Sequence, residues 1–226
     1  MESSTKITVH HLSNSGSQRV LWLLEELGLS YEVKKYQRTP EGKAPPELES
    51  VHPLGKSPVI QDGDVTLAES AAIIDYILAK YGNGRFMPSE SGYLDNLYYS
   101  RYSEGTLMPL YVHWLTFTII PERLSFLLRP VLRPMMNMVM AVMVTPRLKS
   151  SVAMLEDHFS KRPGKFIAGG DEPTEADFLI SFPLESFYAR PESGLGENIK
   201  AYINLLRERP AFKRSLERSG SYNLRH

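Results

Sequence analysis

The sequence predicts two units in tandem, an α/β domain over residues 1–84 and an all-helical domain over residues 92–226. Apolar residues recur with a period of two and then of about 3.6 as far as residue 82, and no convincing pair of strand-like runs follows. The stretch "NGRFMPSESG" between the two parts has the Gly, Pro and Ser content of a linker. At 226 residues the chain is also longer than the usual single domain.

"KITVHHL" reads as a short strand. Residues 17–28 read as a helix, with Val20, Leu21, Leu23, Leu24 and Leu27 on its apolar face and Gly28 as its stop. "SYEVKKYQ" alternates like a second strand. After a Pro-, Glu- and Lys-rich loop at 39–50, "SPVIQDGDVTLAES" holds two short strands joined at Asp62-Gly63, and "ESAAIIDYILAKYG" is a helix ended by Gly82. The order β-α-β, loop, β-β-α is that of a thioredoxin-like sheet. Beyond the linker, helices are expected at 90–118, 121–142, 146–161, 174–188 and 195–206, with "RPAF" opening a terminal segment. Pro130 and Pro134 are expected to break the second of these.

Lys plus Arg and Asp plus Glu both total 26, so the chain lacks the basic bias of a nucleic-acid binder and the acidity of a solvating disordered chain. The expected partner is a small molecule or another protein. With no cysteine, disulfides, cysteine-ligated zinc and an intrinsic dithiol cycle are excluded. "MESSTKITVHHL" lacks the marks of a secretory signal, and no run of about 18 apolar residues occurs, so a soluble, cytoplasmic protein is expected. His10 and His11 have no suitably spaced carboxylates and read as ordinary strand-end side chains, not metal ligands.

The most unusual stretch is "HHLSNSGSQRVLWLL", where Ser13, Asn14, Ser15 and Ser17 crowd a strand-to-helix junction. Such residues cap helices. A helix N-terminus also stabilises a thiolate, and if thiol chemistry takes place here the thiol has to be borrowed, because the chain has no cysteine. Three more motifs stand apart from it: "HPLGKSPVI", "LAESAAI", whose Glu69 and Ser70 begin a helix with free N–H groups for an anion, and "EPTEADF", where Thr174 and Asp177 have capping-box spacing.

With these motifs, and a first helix reading "SQRVLWLLEELGLSYE", the chain resembles the cytosolic glutathione transferases of fungal and bacterial type. The likeness is strongest over 6–82 and 166–185 and weakest between 118 and 150. It implies a thioredoxin-like N-terminal domain, a helical C-terminal domain and a homodimer. It also implies activation of the glutathione thiolate for addition to hydrophobic electrophiles, with peroxide reduction as a side activity. Glutathione is then a co-substrate, and no prosthetic group is needed. A non-catalytic interaction or regulatory module on the same fold is the alternative, against which the retained ligand motifs argue.

The same resemblance assigns residues. Ser57 and a cis-Pro58 offer backbone groups to the cysteinyl part of glutathione. Glu69 and Ser70 take its γ-glutamyl end, while Lys43 and Lys56 meet the glycyl carboxylate. The thiol donor ranks Ser15, then Asn14, then Ser13, because Ser15 keeps a Ser-x-Ser-x-Arg pattern. Gly16 stands where many relatives have arginine. Tyr102 and Tyr111, among Tyr98, Tyr99 and Trp114 on the first helix of the second domain, are expected to line the electrophile site. Residues 126–145 carry five methionines between Arg129, Arg133 and Arg147; they read as a buried helix, with a weak peripheral membrane contact as the other reading.

Overall fold

In the computed structural model, which describes residues 6–123, 126–220 and 222–224, the N-terminal part is built on a four-stranded mixed sheet. Strand β1 (Ile7–Leu12) lies parallel to β2 (Tyr31–Tyr36) across helix α1 (Gln18–Leu27). β1 is antiparallel to β3 (Val59–Asp62), which turns back into β4 (Val65–Ala68), giving the order β2-β1-β3-β4. Helix α2 (Ser70–Tyr81) follows. This is the thioredoxin-like arrangement read from the sequence.

Local chemistry fixes the boundaries. Gly28 ends α1 with φ 69°, a left-handed value that a side chain resists. Its N–H bonds the Glu25 carbonyl, and the Leu29 N–H reaches back to Leu24, closing the helix end. Gly63, at φ 61°, makes the tight turn between β3 and β4. Every residue of α1 from Gln18 to Leu24 is buried. This helix therefore lies at the centre of the molecule.

The remaining described elements are helical: α3 (Tyr93–Tyr102), α4 (Met108–Arg123), α5 (Arg129–Val139), α6 (Thr145–Ser160), α7 (Glu175–Tyr188), α8 (Glu197–Glu208) and α9 (Pro210–Ser219). The single helix expected at 90–118 is two, α3 and α4, joined by a π turn at Ser103–Leu107. The helix expected at 121–142 begins inside α4; residues 124 and 125 lie outside the described ones.

The 121–142 run is broken just before Pro130, as expected, since α4 ends at Arg123 and α5 begins at Arg129, whereas Pro134 lies inside α5 without ending it, and a second π turn at Met140–Val144 carries the helical path on into α6. Pro130 occupies the first turn, where its missing N–H would have had no partner. Pro134 deprives only the Pro130 carbonyl, and Pro130 is exposed to water. Nor is this stretch buried: α5 has no buried residue, and Phe126, Leu127, Leu128, Val131, Met138 and Val142 all face outward.

The helical part is organised on α7, buried from Ala176 to Phe187. Thr174 caps it and Asp177 reciprocates, as the spacing indicates. The terminal "RPAF" segment opens α9, which packs against α1: the Trp22 ring lies 4.5 Å from Phe178 and 5.3 Å from Phe212, centre to centre. The two parts of the chain thus share one core.

Candidate functional site

β1 ends at Leu12, and the chain needs five residues, 13–17, to turn into α1. The turn from β3 is fastened to this end. Ser57 donates its hydroxyl to the His10 carbonyl at 2.8 Å and accepts from the Leu12 N–H at 3.0 Å. The Ser57–Pro58 bond is cis, as the motif implies. Pro58 is buried, while Lys56 beside it is exposed.

The N-terminus of α2 is fastened from the other side. Arg19, 3% exposed, donates to the Gly16 carbonyl at 3.2 Å, to the Ser70 hydroxyl at 2.8 Å and to the Leu179 carbonyl at 3.0 Å, and it pairs with Glu104. One guanidinium therefore holds together the junction, α2, α7 and the π turn between α3 and α4. A Cβ on Gly16 would stand 2.7 Å from that guanidinium, so the residue that replaces the expected arginine makes room for another one. Glu69, just before Ser70, is exposed and has φ 72°. A non-glycine residue holding that conformation is a mark of functional sites.

The three candidate thiol donors differ. Ser13 commits its proton, donating to Gln37 Oε1 at 2.9 Å with the Tyr36 carbonyl at 3.2 Å. Asn14, at φ 55°, accepts the Asn223 N–H on its side-chain oxygen at 2.8 Å, and its NH2 has no partner among the described residues. Ser15 lies 2.7 Å from the Ser17 hydroxyl, which in turn lies 2.8 Å from His11 Nδ1. Ser17 makes no side-chain cap bond to α1, while the Ser15 hydroxyl accepts the Ser17 N–H at a long 3.4 Å.

His11 is buried, and its Nε2 has no partner among the described residues. Burial, aided by the charge of Lys35, pushes its pKa down to about 4, so the ring is neutral near pH 7. His10 is a sheet residue, bonded to the Tyr36 hydroxyl at 2.8 Å and to Gln61 at 3.0 Å.

Asn14 faces a cleft of about 270 Å³, across which α4 presents Tyr111, Leu115 and Ile119 while Arg38 and Arg123 line its rim. Lys43, exposed, adjoins Gly42 at the same rim. Tyr111 is therefore beside the junction. Tyr102 is not brought there: it lines a separate groove on α3 with Leu94, Leu97 and Tyr98.

Arg19, Arg38, Arg123 and the pairing of His11 with Ser17 are absent from the sequence-based set. Arg19 left a signal, an arginine in the first turn of an otherwise apolar helix. Arg38 and Arg123 left none, because only the fold brings them together.

Residues 5–79 match the family model described as glutathione S-transferase, N-terminal domain. The chain is 33% identical over 221 residues to glutathione S-transferase 3 of Schizosaccharomyces pombe, covering 94% of this chain and 87% of that one. A crystal structure of a glutathione S-transferase from Actinobacillus pleuropneumoniae superposes with a TM-score of 0.74 at 32% identity, covering 96% and 95% of the two chains. A glutathione transferase homolog from Lodderomyces elongisporus, with two GSH per subunit, superposes with a TM-score of 0.71 at 19% identity, covering 94% and 98%.

Proposed function

The chain belongs to the glutathione S-transferase family, and on that premise we propose that its β1–α1 junction ionises the thiol of bound glutathione for attack on hydrophobic electrophiles. What supports this most is the fastening of one junction from three sides: the Ser57 hydroxyl on the end of β1, Arg19 on both Gly16 and Ser70, and Asn14, the neighbour of Ser15, on the cleft.

In this reading the backbone at Ser57 and Pro58 aligns the cysteinyl unit. Ser70 and the N–H groups of α2 take the α-carboxylate, Glu69 takes the ammonium, and Lys43 and Lys56 meet the glycyl carboxylate. A free thiol, with a pKa of roughly 8.5, is mostly protonated at neutral pH, and donors at a helix N-terminus lower that value. Ser15 is the preferred donor and Asn14 the second.

The neutral ring behind Ser15 gives its hydroxyl a direction. An orphaned buried N–H is rarer than an orphaned acceptor, so His11 carries its proton on Nδ1 and leaves Nε2 bare. Nδ1–H then donates to Ser17, Ser17 donates to Ser15, and the Ser15 proton is left for the sulfur.

The same thiolate would reduce peroxides. A homodimer would cover the exposed Leu94, Leu97 and Tyr98 of α3; sedimentation at twice the chain mass supports it and a monomer refutes it. The outward face of α5 is where a weak peripheral membrane contact would form in an otherwise cytoplasmic enzyme, and failure to float with anionic vesicles would remove it. The central test is calorimetry with glutathione followed by conjugation of 1-chloro-2,4-dinitrobenzene. No binding would overturn the reading, and binding without turnover of this substrate or a peroxide would leave a non-catalytic module.

A further inference from the structure

The cleft beside Asn14 has one apolar wall and one cationic rim. Tyr111, Leu115 and Ile119 supply the wall. On the rim, Arg38 donates to the Gly42 carbonyl at 3.2 Å and to the Asn14 carbonyl at 3.3 Å, and Arg123 donates to the Glu41 carbonyl. Among the described residues neither meets a carboxylate. Elsewhere arginines do: Arg19 pairs with Glu104, Arg162 with Asp95, Arg207 with Glu185 and Arg214 with Glu25. Two guanidinium groups hydrogen-bonded only to backbone carbonyls carry charge that no close ion pair offsets, although the Glu41 carboxyl is held below its usual range by the Thr39 hydroxyl first and by the Arg123 charge in smaller part.

They also repel one another. Loss of water to the cleft walls, with the nearby charge of Arg123, pushes the Arg38 pKa down. An arriving anion relieves that repulsion, and a guanidinium offers a carboxylate two parallel N–H donors. The cleft, at about 270 Å³, is smaller than the roughly 300 Å³ at which pockets for drug-sized ligands begin, which suits a single ring.

We propose that this cleft selects electrophiles bearing a carboxylate: Arg38 and Arg123 hold the anion, and Tyr111, Leu115 and Ile119 hold the apolar body with its reactive carbon toward the Asn14–Ser15 junction. The proposal rests on the transferase reading, in which both carboxylates of glutathione are already placed on α2 and near the lysines. The anionic rim ligand is assigned to the second substrate, and because Lys43 adjoins the same rim the test below separates it from the glycyl carboxylate. With an activated aryl chloride the step balances simply. The sulfur lone pair forms the new bond to the ring carbon, the ring pair returns as the carbon–chlorine bond breaks, and chloride leaves.

The probes are 4-chloro-3,5-dinitrobenzoate and its methyl ester, which differ in charge and also in intrinsic reactivity, since the ester withdraws more electron density, so each kcat/KM is divided by the rate of the uncatalysed reaction with glutathione. On that scale the wild type should favour the acid, and in Arg123→Gln the acid-to-ester ratio should fall about tenfold or more, the loss of one charge-assisted contact. Arg123→Lys should recover part of it, and Arg38→Gln should act in the same direction. An unchanged ratio with a raised KM for glutathione would assign the guanidinium groups to glutathione and overturn the proposal. Should neither probe turn over, the preformed glutathione conjugates of acid and ester are titrated calorimetrically. Tighter binding of the acid conjugate that is lost in Arg123→Gln upholds the cleft and sinks only the catalytic reading, whereas equal binding of the two overturns the proposal.

Discussion

The guanidinium of Arg19 donates to the hydroxyl of Ser70 at 2.8 Å, although these residues begin different helices 51 positions apart. Removing it strands partners on both sides. Arg19→Leu leaves the Glu104 carboxylate, itself partly in water, and the buried Leu179 carbonyl without their donor, and stranding such partners costs about 1 to 3 kcal/mol. Urea unfolding should show that loss. Arg19→Lys keeps the charge but not the fork, so it should recover little; a lysine variant as stable as wild type would show that charge alone matters.

Glu69 tests the glutathione site apart from folding. Its φ of 72° is costly for a side-chain-bearing residue, so Glu69→Gly should stabilise the protein by up to about 1 kcal/mol. The same change removes a charge-assisted contact worth roughly 1.5 to 3 kcal/mol, so glutathione should bind more than tenfold more weakly in calorimetry. Unchanged affinity would remove Glu69 from the site.

Thiolate absorbance against pH ranks the donors. Ser15→Ala should raise the pKa of bound glutathione with little effect on its affinity, each unit corresponding to about 1.4 kcal/mol. His11→Leu should move it in the same direction, and His11→Asn, whose amide can still donate toward Ser17, should recover part of the shift. If only Asn14→Ala shifts the titration, the donor is Asn14. If no variant does, the end of α1 acts alone.

The fold should lose stability in mild acid. His11 is pushed down to about 4 in the fold against about 6.5 unfolded, so between these values the unfolded chain binds more protons and stability rises with pH. The contribution, present above pH 6.5, is on the order of 3 kcal/mol and disappears as pH falls toward 4. Burial lowers His10 and His158 as well, with the same sign. Glu185, raised by burial, works the other way just above its ordinary value and offsets part of this. Denaturant midpoints at pH 7 and pH 5 should differ less in His11→Asn, which cannot titrate; an equal difference would absolve His11.

Asp177 is a buried acceptor with no spare capacity for a donor. It receives the Ile167 and Thr174 N–H groups at 2.9 and 2.7 Å, the Thr174 hydroxyl at 2.9 Å and the Tyr202 hydroxyl at 2.6 Å. Asp177→Asn turns an NH2 toward those donors and should cost about 2 to 4 kcal/mol. Thermal or urea unfolding measures it, and a variant within a few tenths of wild type would contradict the count.

What could be read in the sequence is what depends on near neighbours. The strand and helix periods, the stop at Gly28 and the pairing of Thr174 with Asp177 all act within a few residues, and the structure has each of them. Of the two prolines of α5, Pro130 stands at a real break and Pro134 misled, because its cost depends on whether the deprived carbonyl meets water, which the string does not say. The buried fate expected for residues 126–145 failed likewise, because hydrophobic content does not tell which face finds a partner. At the candidate site, the fastening of Ser57 and Ser70 to the junction comes from contiguous motifs, whereas Arg38 and Arg123 meet only because α4 returns over the loop after β2. Tyr102 and Tyr111 share a helical run in the sequence, but the π turn between α3 and α4 intervenes, and the two tyrosines line different hollows.

The packing of α9 on α1 has a consequence for biosynthesis. Gln18 reaches Ser215 at 2.7 Å, Arg209 pairs with Glu26, and Trp22 stands between Phe178 and Phe212. A chain emerging from the ribosome can pair its four strands early, but the helix at their back stays without its cover until α9 has left the exit tunnel. Completion of the first part must therefore wait for the synthesis of residues 183 to 197 positions further on. Nascent chains stalled before residue 210 should remain open to protease within α1, while chains with α9 outside the tunnel become resistant there.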